Sequence, residues 1–276
     1  MTSFAAPETV ADAAALLVAG ASAVAGGTDL VVAARSGRRA LPEALVSLHR
    51  LDELRDIDVG PDGALRIGAL TTHADLERSE LVRSGWAAVA DAAVLVGSPA
   101  TRNVGTVGGN LANASPAMEL GAPLLVHEAH VKTSSGVVAL EDFLTGPGRT
   151  ALEPGDLITH VVVPGPAASA YVRLEYRRAM EIAVVGSAAL LVLDDVGGIA
   201  AARVALTAVA PTCVRAPAVE EALCGATAET FATAAQLAVE AAEPISDVRA
   251  SERYRRGQIP VVVRRALERA YERARR

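Results

Sequence analysis

The sequence predicts an α+β protein in two parts, and three observations predict it. Short apolar strands alternate with Ala- and Leu-rich helical stretches through the first half. A run of Pro, Gly, Ala and Ser from Pro164 to Ala170 then interrupts the alternation and reads as a linker. Beyond it the pattern changes to one long hairpin followed by two helices.

The elements follow in order. "ETVADAAALLVAG" is a helix closed by Gly20, and the strand "SAVA" after it runs into "GGTDLVVAARSG", where Gly26 and Gly27 make a bend and Thr28 or Asp29 caps a helix. Next come the strand "ALVSLH", a hairpin turning on Pro61, Asp62 and Gly63, and one helix over "SGWAAVADAAVLVG". After the segment 101–115 there is a hairpin over "HVKTSSGVVAL" and a strand over "DLITHVVVPGP". In the second part the hairpin "SAALLVLDDVGGIAAARVALTAVAP" turns between Asp194 and Gly198. "AETFATAAQLAVEAA" places Phe231, Ala235, Ala238 and Ala242 on one helix face, and "PVVVRRALERAYERARR" starts a last helix at Pro260.

Composition narrows the function. The 276 residues are 51% hydrophobic, enough for a sizeable core, and no apolar run is long enough to span a membrane. The N-terminus lacks the order of a signal peptide, so a cytoplasmic location is expected. A net charge of −6 argues against nucleic acid as the main partner. Ten arginines stand between Arg249 and Arg276 against Glu252, Glu268 and Glu272, either as a solvated helix face with i,i+4 pairs or as a docking surface for an acidic chain. Cys213 and Cys224 are too few for an iron–sulfur cluster and read as core thiols. His127 and His130 read as turn or surface histidines, not metal ligands, and Trp86 and Phe143 as core. No nucleophile elbow is present, which disfavours hydrolase chemistry.

Two glycine loops remain. "AGGTDL" and "GTVGGN" each set paired glycines beside Thr, and glycines let backbone N–H groups approach an anion with no side chain between. All three asparagines of the chain, Asn103, Asn110 and Asn113, fall in the second loop, where their amides suit a tight fold around something polar. They also suit a purely structural role as turn caps. Neither the Walker spacing nor G-x-G-x-x-G occurs. A helix N-terminus gives an anion only about 0.3 to 1 kcal/mol, whereas nanomolar retention takes about 12 kcal/mol, so a retained ligand adds a large ring surface. FAD meets that need.

"AGGTDL", "TRNVGTVGGNLANASP", "VALTAVAPTCVRA" and "ISDVRASERYRR" together resemble the FAD-binding medium subunit of molybdenum hydroxylases, the xanthine dehydrogenase and aerobic carbon monoxide dehydrogenase family. The likeness runs along nearly the whole chain. It implies an FAD-binding domain of the vanillyl-alcohol-oxidase/PCMH type over 1–168, made of α/β subdomains at about 1–52 and 53–168. It also implies a C-terminal domain over 169–276 with a three-stranded antiparallel sheet and helices.

The resemblance implies site residues too. Val24, Ala25, Gly26, Gly27, Thr28, Asp29 and Leu30 would wrap the diphosphate of FAD, and Asn103, Thr106, Gly108, Gly109 and Asn110 would complete the cradle. Ser115 and Glu119 fall near the ribityl and adenosine parts, Glu119 where the family more often has Asp. Ile158 matches a backbone contact, and Arg173 matches a frequent Lys near the flavin. The implied partners are an iron–sulfur small subunit and a molybdenum-cofactor large subunit, with NAD, oxygen or a quinone-like molecule as acceptor. A free-standing FAD-dependent oxidoreductase is the alternative, and a cofactor-free scaffold is a third reading.

Overall fold

The computed structural model describes residues 3–177 and 180–276. A small parallel sheet opens the chain, with the strand Ala44–Ser47 in the middle, Ser3–Ala5 on one side and Ser22–Val24 on the other. The helix Val10–Val18 crosses between its outer strands, capped by Thr9, and buries Ala13 and Leu17 against Val46, Leu48, Leu51 and Leu54. Because Ser22–Val24 lies at the edge, the chain leaving it enters the first glycine loop with one side unpaired.

A five-stranded antiparallel sheet follows, ordered Ile57–Val59, Leu65–Gly68, Ile158–Val163, His130–Thr133, Val137–Ala139. Alternate residues Leu65, Ile67, Val131, Val161 and Val163 face a helical layer that holds Trp86, Val89, Leu111, Leu124 and Phe143. The turn over 61–63 forms as its sequence predicts, with Gly63 at φ 77°. The helix expected over residues 84–97 instead divides at Trp86 into Glu80–Gly85 and Ala87–Ala93. The cause is distant: the Trp86 indole N–H donates to the Pro164 carbonyl at 2.7 Å, and the Ala88 N–H turns to Ser169 Oγ. The segment after Pro164 is therefore fastened to the helical layer, and Ala167 N–H adds a bond to the Gly85 carbonyl.

The last part is an antiparallel sheet, Ala168–Leu174, Val185–Leu193, Ile199–Thr207 and the two-residue Val214–Arg215. It has four strands where three were expected. The long helix Glu252–Ala274 packs on it through Ile259, Val262, Val263, Ala266 and Leu267. This helix begins at a Ser251 cap, not at Pro260, which lies inside it. The extra turns form because Arg255 and Ile259 are buried, and tertiary contacts outweigh the bond that Pro260 cannot make. Residues 228–241 keep Phe231, Ala235 and Ala238 buried as expected, but they wind mostly as 3-10 turns. Cys213 is buried whereas Cys224 is exposed, so only one of the two cysteines is a core thiol.

The arginine tail does more than either sequence reading allowed. Arg256–Glu252 and Arg264–Glu268 are the expected i,i+4 pairs. Arg269 and Arg273 instead reach the helix Ala87–Ala93, where Asp91 accepts from them at 2.9 and 2.7 Å and also from the Tyr171 N–H. The tail therefore clamps the C-terminal domain to the first part of the chain. No helix among the described residues is long and apolar enough to cross a membrane.

Candidate functional site

The first glycine loop joins the edge strand Ser22–Val24 to the short helix Leu30–Arg35. Gly27 takes φ 67°, which favours glycine. At Gly26 a Cβ would stand 1.8 Å from the Val104 carbonyl oxygen. The two loops are thus in direct backbone contact, and only glycine fits between them.

Donor supply differs between the loops. Among the described residues, no acceptor meets the N–H of Ala25, Gly26, Gly27, Thr28, Asp29 or Leu30. Asp29 sits at the helix N-cap position, but its side chain makes no cap bond and accepts from Asn113 Nδ2 at 3.4 Å. Burial pushes its carboxyl up, against the pull of Arg38.

The second loop runs from the helix Pro99–Arg102 into the helix Val107–Asn113. Apart from that of Thr106, which meets no acceptor among the described residues, its N–H groups are already used. Val107 donates to the Thr71 carbonyl at 3.0 Å, Gly108 to that of Ala69 at 2.8 Å, Gly109 to Thr106 Oγ1 at 3.1 Å and Asn110 to the Thr106 carbonyl at 2.9 Å. The expectation that this loop offers a row of bare amides is therefore corrected: over residues 103–110 only the Thr106 N–H is left without an acceptor. Gly108 is a packing glycine, since a Cβ there would meet Ala69 Cβ at 2.8 Å, whereas Gly109 faces open space apart from Thr106 Oγ1. What the loop offers is shape and one side-chain acceptor: Asn110 Oδ1 is buried with no partner. Asn103 is exposed where the first of these helices ends.

The remaining expected residues lie further along. Ser115 follows Ala114, which ends the second helix at φ 43°, and its Oγ accepts from the Ala117 N–H. Ile158 is buried at the start of the central strand, beside Thr133. Glu119 and Arg173 meet each other in a buried ion pair at 2.5 Å, with Tyr171 as a third member. A cavity of about 330 Å³ opens beside Ser115, Pro116 and Ala117 and is closed by Ala208, Pro211 and Ile245 of the C-terminal domain. A larger hollow, about 480 Å³, lies away from the loops on the sheet face bearing Arg66, His130, Lys132 and His160.

Sequence reasoning missed several neighbours. Arg102 braces the second loop through Glu77 at 2.8 Å and the Val96 carbonyl. His73 lies under that loop, its ring against Gly105, and is 2% exposed. His127 is not a surface residue but is buried, with Nε2 2.9 Å from Ser169 Oγ. Only the burial of their strands and helices in the fold distinguishes them.

Burial holds both histidines down to about 4, with Arg102 adding to the effect on His73 and Arg203 on His127. Each is neutral in the folded protein and takes up a proton more readily when unfolded. Their stabilisation is therefore complete above about pH 6.5 and fades as pH falls towards 4, by about 2 kcal/mol each at pH 5. A thermal-melting series from pH 7.5 to 4.5 is expected to show that decline, and His127→Gln is expected to flatten part of it.

Two family models match the chain: "FAD binding domain in molybdopterin dehydrogenase" over residues 1–166 and "CO dehydrogenase flavoprotein C-terminal domain" over residues 170–270. The chain is 34% identical to the 6-hydroxypseudooxynicotine dehydrogenase complex subunit alpha of Paenarthrobacter nicotinovorans, covering 92% of this chain and 88% of that protein. It is 32% identical to a putative xanthine dehydrogenase FAD-binding subunit of Escherichia coli K12, covering 95% and 93%. A chain in the crystal structure of the Cu,Mo-CO dehydrogenase superimposes with a TM-score of 0.93 at 32% identity, over 99% of this chain and 98% of that one.

Proposed function

The chain belongs to the family of FAD-binding subunits of molybdenum hydroxylases, and from that premise we propose that it is the electron-transfer flavoprotein of a three-chain complex. The observation that carries this reading is the row of unpartnered N–H groups from Ala25 to Leu30, set on a bend that touches the second loop. Such a row fits a diphosphate. Val24 to Leu30 would hold it, while Asn103, Thr106, Gly108, Gly109 and Asn110 would shape the opposite wall. The unpartnered Asn110 Oδ1 would accept from a hydroxyl of the ligand. Ser115 and Ile158 would line the far end, with the Glu119–Arg173 pair buried behind that wall, 1–168 as the cofactor domain and 169–276 closing it.

When bound, FAD supplies the exchange between one-electron delivery from an iron–sulfur centre and two-electron delivery to an acceptor. This chain needs no acid or base of its own for that role. Its two cysteines fall short of the four thiolates a cluster takes, so an iron–sulfur small subunit and a molybdenum-cofactor large subunit would be separate chains. The apolar cavity beside Ser115 would be the way in for an acceptor such as NAD, oxygen or a quinone-like molecule. Purification from the native source with metal and flavin analysis tests the proposal. Co-elution with chains carrying iron and molybdenum is the expected result, and a lone flavoprotein that turns over a small molecule by itself would instead identify a free-standing oxidoreductase.

Gly109→Val tests the site itself. An added Cβ meets only Thr106 Oγ1 in the protein, so folding is expected to survive. FAD affinity is expected to fall by about 100-fold, roughly 3 kcal/mol, because the new methyls occupy the ligand's approach. Melting temperature and flavin content measured on one preparation separate the two effects, and normal flavin content would reject Gly109 as part of the wall.

A further inference from the structure

The segment that follows the second loop is held by the C-terminal domain. The Pro116 carbonyl accepts from the Ala208 N–H at 2.8 Å and from Thr207 Oγ1 at 3.1 Å, and the Met118 carbonyl accepts from Thr207 Oγ1 at 2.9 Å. Glu119 ends the segment between two side chains of the strand Ala168–Leu174. Tyr171 Oη donates to its Oε2 at 2.6 Å, and Arg173 Nη1 to its Oε1 at 2.5 Å. Residues two apart on a strand share a face, so both arrive from the same side. All three are shut away: Tyr171 is 1% exposed, and the side chains of Arg173 and Glu119 are 2% and 7% exposed. The same guanidinium continues to Glu175 and to the Glu181 carbonyl.

The cavity beside Ser115 to Ala117 therefore has a wall held along its length by Thr207 and Ala208 and at its far end by one carboxylate. A buried carboxylate that loses one of its two donors takes up a proton more readily and is held less firmly, because only the other still offsets its desolvation. Burial already pushes the Glu119 carboxyl up, and Arg173 and Tyr171 oppose that, while the Glu175 carboxylate adds to it and the Cys213 thiol lies close by.

We propose that Tyr171 and Arg173 are positioning residues for the FAD site, which act through Glu119 to hold the Ser115–Glu119 wall in place and do not touch the cofactor themselves. This rests on the reading that FAD occupies the cleft between the glycine loops and that wall. It assigns Arg173 a part different from the flavin contact that the family resemblance implies.

Tyr171→Phe removes one oxygen and leaves the ring in its packing. FAD titration of the apoprotein is expected to show binding weakened about ten-fold, the scale of a hydrogen bond to a charged group. The loss is expected to deepen as pH falls from 8 to 6, because Glu119 without the phenol takes up a proton sooner. Glu119→Gln is expected to weaken binding similarly, and the double variant no more than the weaker-binding single one. Wild-type affinity and pH profile in Tyr171→Phe, or effects that multiply in the double variant, would overturn the proposal. Should Tyr171→Phe fail to fold, Arg173→Lys keeps the charge but not the fork, and unaltered FAD binding in it at every pH overturns the proposal equally. Wild-type apoprotein that takes up no FAD removes the cofactor reading itself, an outcome distinct from a wild type that binds while the variants do not differ.

Discussion

Gly26→Ala is expected to give a folded, colourless protein. Its new methyl carbon would stand 1.8 Å from the Val104 oxygen and 2.6 Å from the carbonyl carbon, and both are backbone atoms that no rotamer change can move. The loops must part by about 1.5 Å to reach ordinary contact, enough to spoil a site built from fixed amides. The loop lies outside the large core, so most of the fold is expected to persist. Gly27→Ala makes a useful contrast. Its added carbon meets only Val31 and Val24 at 3.4 and 3.6 Å, and its cost is the left-handed backbone, about 1 kcal/mol. Flavin absorbance per protein in the two purified variants decides the matter. A Gly26→Ala protein as yellow as the wild type would show that contact between the loops is irrelevant to the cofactor.

Arg255→Ala is expected to be the most destabilising single change in the C-terminal domain. The guanidinium donates at 2.8 Å to the Val184 and Ala208 carbonyls and to Asp247, and the residue is 3% exposed. Truncation leaves two carbonyls without their donor, a carboxylate without its partner and a cavity beneath the long helix. Together these cost about 4 kcal/mol, or a fall of about 8 to 15 °C in Tm. Asp247 is held down to about 2 by backbone N–H groups and Arg255, which overcome its desolvation, so the loss of Arg255 is expected to raise it. Calorimetry on the variant checks the first effect, and carboxyl titration by NMR the second. A melt within a few degrees of the wild type would mean that the helix start is held elsewhere.

Local chemistry accounts for what was legible. Gly63 and the residues around it make a turn whatever surrounds them, and the first helix forms as expected before Gly20, whose φ of 93° suits glycine. The first glycine loop is legible for the same reason. Where neighbours distant in sequence intervene, the reading fails: Pro164 and Ser169 split the helix at Trp86, and packing around Arg255 carries the last helix back past Pro260.

The sequence alone determined that two glycine bends exist, that the first follows a strand, and that the chain resembles a flavoprotein subunit. Only the tertiary structure decided which bend has amides to give. Backbone freedom at glycine is a property of the residue and its immediate neighbours, so it can be read along the chain. Whether an N–H is spent depends on which carbonyls the fold brings beside it. Ala69 and Thr71, more than thirty residues upstream, take the N–H groups of Gly108 and Val107 in the second loop, while the edge strand leaves those of the first unclaimed.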